Sequence, residues 1–188
     1  FGYALLGWTY SLDVTFGWSE SPKVSLEKAF GLGQKAISLD DRQETAHRLL
    51  GSVYLMTRQP DKAMAEYERS IVVAPNSSYA FDGMGGLLCA MGRFREAIKS
   101  LETAIHLNPF PPASFFLNLG RACIYTGRTN EAIEVAKKAI NLDAGIAEAH
   151  FVLGDAFIAA GKSGGALAEL DKALSLTQNP PPWHIGHK

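Results

Sequence analysis

The sequence lacks most of what would tie a chain to a metal, a membrane or a nucleic acid. Two cysteines in 188 residues make no disulfide framework, and Cys89 and Cys123 stand at no metal-binding spacing. Both fall on predicted helices of adjacent repeats, as buried or half-buried reduced thiols, which suits a cytoplasmic protein. A formal net charge of −1 leaves no basic surface for nucleic acid or an anionic membrane. No apolar run reaches the roughly 18–20 residues of a transmembrane helix, and no signal peptide is visible. The chain opens on Phe1 rather than Met and is in a repeat almost at once, so it is expected to be a piece cut from a longer protein.

Catalytic groupings are missing too. Of the five histidines, His47 and His150 hold large positions on helical faces, where packing between helices is expected. His106 lies near a helix end, where a cation suits the dipole. His184 and His187 beside Trp183 would make only a weak, two-ligand metal site. Gly83, Gly85 and Gly86, like the run Gly31–Lys35, fall mid-helix with no strand before them. This excludes a phosphate loop and leaves close packing or local softness. The sequence therefore predicts a non-catalytic chain with no cofactor and no metal.

What the sequence has is repetition. In Glu44–Ser77, apolar and small residues recur at helical spacing: His47, Leu50, Gly51 and Tyr54, then Ala63, Tyr67 and Ser70, with Pro75 as a stop. Small residues at Gly51 and Ala63 let two helices cross closely, and Tyr54 and Tyr67 fill the space beside the crossing. The same series returns as Phe81, Met84, Gly85, Leu88, Ala97, Leu101, Ala104 and Pro109. It returns again as Phe116, Leu119, Gly120, Cys123, Ala132, Ala136 and Ala139, and lastly as His150, Leu153, Gly154, Phe157, Ala166, Leu170 and Ala173. The pattern resembles the tetratricopeptide repeat, whose period is about 34 residues. The resemblance implies an all-α, right-handed α-solenoid of about five helix-turn-helix repeats. Their bounds are 1–43, 44–77, 78–112, 113–146 and 147–180, forming one domain over 1–180 with a tail over 181–188.

The first repeat is modified. Leu6, Gly7 and Tyr10 match its first helix and Ala29, Gly33 and Ala36 its second, with about ten extra residues from Asp13 to Lys23. Ser21 and Pro22 read as N-cap and first helical position, so the second helix should start early and run long. Phe16 and Trp18 are too apolar for a free loop and are expected to fold back over the end of the first repeat. The run from Gly7 to Phe30 is similar to the opening repeat of bacterial proteins in which a class III adenylate/guanylate cyclase domain precedes such repeats. Similar segments also follow transcription-regulator-type domains. The similarity implies a larger bacterial signalling protein, with no catalytic residue inside this chain.

Stacked repeats line an inner wall with their first helices. The candidate partner-binding residues on that wall are Trp8, Arg48, Ser52, Leu55, Tyr79, Asp82, Leu117, Arg121, Ile124, Tyr125, Phe151 and Asp155. Aromatic and arginine side chains are the usual anchors of protein interfaces. Chaperone-binding members of the family hold a carboxylate in a Lys/Asn/Arg clamp. Here the equivalent places carry Ala4, Trp8, Leu49, Tyr79 and Gly83, or one repeat on, Arg48, Ser52, Gly83, Ser114 and Asn118, so that clamp is disfavoured. The expected function is binding of a peptide or protein segment in the concave groove, as a regulatory or scaffolding part. The alternative is a structural or oligomerisation module with no groove ligand. Ala166, Leu170, Ala173 and Leu174 on the last helix are expected to form a sticky end, covered by Trp183 or by a second chain in a weak homodimer.

Overall fold

The apolar spacing produces ten α-helices and no strand among residues 2–178, which the computed structural model describes. They are α1 Gly2–Thr15, α2 Pro22–Leu39, α3 Glu44–Met56, α4 Pro60–Val73, α5 Ser78–Ala90, α6 Phe94–Leu107, α7 Ala113–Tyr125, α8 Thr129–Leu142, α9 Ala147–Ala159 and α10 Ser163–Gln178. The all-helical class expected from the sequence is borne out. The chain divides into two compact units, Phe1–Leu87 and Leu88–Lys188, the division falling within α5. In the first unit α1 packs on α2 and α3, and α3 on α4; in the second, α7 packs on α6, α8 and α9, and α9 on α10.

All five turns inside helix pairs use one device. The residues at positive φ are Gly17 (70°), Arg58 (58°), Gly92 (72°), Gly127 (77°) and Gly161 (71°). After each, a backbone N–H reaches five residues back to a carbonyl: Trp18 to Asp13, Gln59 to Tyr54, Arg93 to Leu88, Arg128 to Cys123, and Lys162 to Phe157, at 2.8–2.9 Å. This is the Schellman closure, which satisfies carbonyls left over at a helix end and favours glycine at the left-handed position. Arg58 makes the same turn without glycine.

In the first unit the core is built from alanine and leucine: Ala4, Ala36 and Ala46 form one cluster, and Ala29, Leu49 and Val53 another. The Tyr67 ring from α4 occupies the slot above Gly51 of α3. A Cβ placed at Gly51 would stand 3.0 Å from that ring, and one at Gly83 of α5 would strike it. Burial pushes the Tyr67 hydroxyl's pKa up, while a hydrogen bond with Ser52 opposes the shift. In the second unit Gly120 and Gly154 do the same service, the first beneath Val135 and Val152 and the second beneath Leu170. A Cβ added at Gly33, in the GLGQK run, would lie 2.6 Å from Leu50 Cδ2, so close packing explains this glycine too.

The two repeat histidines are buried, as expected. The His47 Nδ1 lies 2.8 Å from Glu66 Oε2 and its Nε2 2.8 Å from the Asp41 carbonyl oxygen. His150 makes the same pair of contacts, with Glu169 at 2.7 Å and the Ala144 carbonyl at 3.2 Å. For His47 the Glu66 hydrogen bond outweighs desolvation and holds the imidazole above its ordinary value of 6.5. Carboxylate and carbonyl both accept, so the charged ring, with two donors, fits this place best.

Several expectations are corrected. α1 runs on to Thr15, so part of the extra segment is helical, and α2 starts at Pro22 as the sequence indicated. Ser21 precedes α2 but makes no side-chain cap bond. Phe16 and Trp18 do not fold back over the repeat. They are 54% and 46% exposed, and stack on each other with ring centroids 4.8 Å apart, about the tight turn at Gly17. On α10, Ala166 and Ala173 are buried and Leu170 half-buried against Gly154. The exposed leucines are Leu167 (65%) and Leu174 (49%), one heptad apart. Asn179, the proline run after it, and Trp183, His184 and His187 of the tail lie outside the described residues.

Three outcomes are expected for stability. Nothing lies within 4 Å of a Cβ at Gly86, so Gly86→Ala is expected to stabilise the chain by about 0.5–1 kcal/mol in urea unfolding. Gly83→Ala, three residues earlier on the same helix, must displace the Tyr67 ring and is expected to destabilise by about 1–3 kcal/mol. The His47 pair gives stability that is whole below about pH 6.5 and is lost as pH climbs through the raised folded-state value. Denaturation at a series of pH values should therefore show wild type losing more stability than Glu66→Gln between pH 6 and pH 9. Parallel curves would exclude the linkage.

Candidate functional site

Among the wall residues predicted from the sequence, α1, α3 and α5 each carry one aromatic or arginine side chain, and these three meet. The Arg48 guanidinium of α3 lies 4.6 Å from the Trp8 ring centroid of α1 and 5.2 Å from that of Tyr79 of α5. Three successive first helices are thereby joined by a ring–guanidinium–ring ladder, an arrangement that cation–π attraction favours. The Trp8 indole Nε1 donates to the Thr45 carbonyl at 3.3 Å, which fixes that ring's orientation.

Glu44 sets the cation. Arg48 Nε donates to Glu44 Oε1 at 3.1 Å, and the hydroxyls of Ser70 and Ser77 donate to the same oxygen at 3.3 and 2.9 Å. Thr45 donates to the other carboxylate oxygen at 3.2 Å. Sequence reasoning found Trp8, Arg48 and Tyr79 as separate wall residues but missed this hub. Glu44 and Arg48 are four residues apart on one helix, a pairing the spacing does announce. Ser70 and Ser77 carried no such signal, since they reach Glu44 only after α4 folds back. Of the other residues predicted for this wall, Ser52 bonds to Tyr67, and Leu55 and Asp82 are half-buried.

In the second unit the predicted residues divide. Leu117 is 3% exposed and belongs to the core, so it is not a surface anchor. Arg121 pairs with Glu148, joining α7 to α9. Tyr125, 70% exposed, stacks on Phe94 of α6 with ring centroids 4.4 Å apart and an interplanar angle of 9°. It thus stands over the turn into α6, beside a bidentate Arg93–Glu96 pair with contacts of 2.8 and 2.7 Å. Ile124 and Phe151 are half-buried and Asp155 is exposed.

Cys123 is buried and its thiol is pushed up to about 12 by desolvation, which keeps it un-ionised and unreactive near neutral pH. Cys89 is half-buried and likewise unbridged. Among the described residues no three His, Cys, Asp or Glu side chains gather to hold a metal, and no helix is long and apolar enough to cross a membrane.

Comparison with known proteins agrees with this repeat geometry. Superkiller protein 3 of Schizosaccharomyces pombe is 22% identical over 139 residues, 71% of this chain; the chain spans only 10% of that relative's length. Among solved structures, MamA superposes with a TM-score of 0.68 at 24% identity, over 83% of this chain and 91% of MamA. YrrB, described as a TPR protein with an unusual peptide-binding site, gives 0.65 at 24% identity over 82% of this chain and 79% of its own. At these identities the likeness is one of fold. The sequence profile of the tetratricopeptide repeat matches residues 85–146 and 117–181, together more than half of the 188 residues, and the chain belongs to that family.

Proposed function

We propose that this chain is a protein-interaction module whose first helices bind an extended or helical peptide segment. The observation that carries the reading is the Trp8–Arg48–Tyr79 ladder. It presents two rings and a guanidinium, the side-chain types that dominate binding energy at interfaces, on adjoining helices and already oriented by Glu44 and Thr45. Pre-set side chains lose little entropy when a partner arrives. Trp8 and Arg48 are half-buried and Tyr79 is 48% exposed, so the ladder has both support and an open edge. In the second unit, the exposed face of Tyr125 on its Phe94 support offers a second anchor of the same kind. YrrB, a fold neighbour with a peptide-binding site, lends support by analogy. The resemblance of the Gly7–Phe30 run supports a regulatory or scaffolding place in a larger, cytoplasmic bacterial signalling protein.

A second reading, self-association, draws on Leu167 and Leu174. They stand on one exposed stripe of α10, where an uncovered apolar strip favours contact with a second chain.

Peptides selected from a displayed library on the whole chain are expected to bind about 10–100-fold more weakly to Arg48→Ala or Tyr79→Ala, a loss of about 1.4–3 kcal/mol. Helical circular dichroism should be unchanged. Selected peptides indifferent to both changes and to Tyr125→Ala would place recognition elsewhere. For self-association, sedimentation velocity over a concentration series should show a weak dimer in wild type and a monomer in Leu167→Glu/Leu174→Glu. A monomeric wild type would remove that reading.

A further inference from the structure

A cavity of about 570 Å³ opens in the first unit among α2, α3 and the start of α4, and none of the ladder residues lines it. Its origin is local. Ala29 and Ala63 hold the same repeat position, yet α2 begins one helical turn earlier relative to Ala29 than α4 does relative to Ala63. The added turn carries Lys23, and overhangs the place where Thr57 and Gln59 lead into α4.

One stripe of α2, from Lys23 through Leu26 and Glu27 to Phe30, forms a wall that runs about 10 Å at helical rise. Val53 and Tyr54 of α3 complete an apolar floor, with Phe30 set edge-on to Tyr54 at 5.5 Å between centroids. The polar groups are few and unequal in charge. Lys62 Nζ sits 5.5 Å from the Tyr54 ring centroid and donates to Gln59 Oε1 at 2.8 Å. Lys23 has no ion-pair partner within the described residues, and Glu27 supplies the one carboxylate on the lining. Lys23 is the second residue of α2 and Lys62 the third of α4. In the register that equates Ala29 with Ala63, Lys62 stands level with residue 28, about 7–8 Å of helical rise from Lys23, so the two amines border the slot from α2 and from α4.

An apolar slot of this size with a few convergent polar groups is the form of a small-molecule site. A peptide strand would need backbone partners, and the floor offers side-chain hydrocarbon instead. We infer that this cavity binds a single-chain amphiphile with one anionic head, the tail lying along Leu26, Phe30, Val53 and Tyr54 and the head between Lys23 and Lys62. The length of the α2 stripe matches an amphiphile of about eight to ten carbons, the carbon of its head included.

Calorimetric titration of the whole chain at pH 8 with decanoate, and with decyltrimethylammonium as the cationic counterpart of equal tail, tests this. Decanoate is expected to bind one to one, about tenfold or more tighter than the cation. Lys23→Glu/Lys62→Glu changes two exposed side chains and should reverse that order. Leu26→Trp, which fills the slot, should abolish binding of both ligands while the helical spectrum is kept. The Arg48→Ala variant, which disables the peptide wall, should bind decanoate as wild type does, so the two sites fail independently. Absence of saturable decanoate binding would overturn the inference. So would equal affinity for the two amphiphiles, or decanoate binding unaltered by the charge reversal.

Discussion

The first unit depends on how near two helices can come, and Tyr67 sets the distance. Its ring fills the gap left by the missing Cβ atoms of Gly51 and Gly83. One phenol thereby fixes the approach of α4 to the first helix of its own repeat and to the first helix of the next. A core so dense has no room for an added methyl. In this position glycine acts by its size and not by its backbone freedom, which explains why a helix can carry it. In the second unit the slots at Gly120 and Gly154 are filled by valine and leucine. The demand is thus for a shape that fits, and an aromatic ring is only one solution.

The fold was legible because it is written several times over. A single helix-turn-helix pattern would be ambiguous, but Leu50, Met84, Leu119 and Leu153 keep one register through four copies, and all four are buried. The candidate wall was less legible. Helical spacing tells which side a residue faces, and it put Trp8, Arg48 and Tyr79 on one face correctly. It does not tell depth, and Leu117, on the same reasoning, is core. Phe16 and Trp18 misled for a related reason. Apolar side chains in a loop were expected to seek the core, yet a pair can shield part of each other's surface by stacking and stay outside.

Polar residues carried information that apolar spacing could not. Glu44 gathers Arg48, Ser70 and Ser77, residues from both helices of its repeat and from the turn beyond. A carboxylate with that many donors holds its place firmly, and through Arg48 it holds the two rings as well. In the proposed site, recognition and architecture therefore share atoms. The positive-φ turns show the reverse economy: glycine appears at Gly92, Gly127 and Gly161 only because the closure needs that backbone, and Arg58 shows that the closure can tolerate a side chain.

The buried histidines have a consequence for how the chain reaches this structure. His47 is tied to residue 41 just before its helix and to residue 66 on the next, and His150 to residues 144 and 169 in the same register. Each tie closes a short loop and joins residues of a single helix pair to its own lead-in. Short loops close at low entropic cost, and contacts near in sequence form quickly. One such clasp lies in each unit, so each unit holds a local starting point for folding that does not wait on distant parts of the chain.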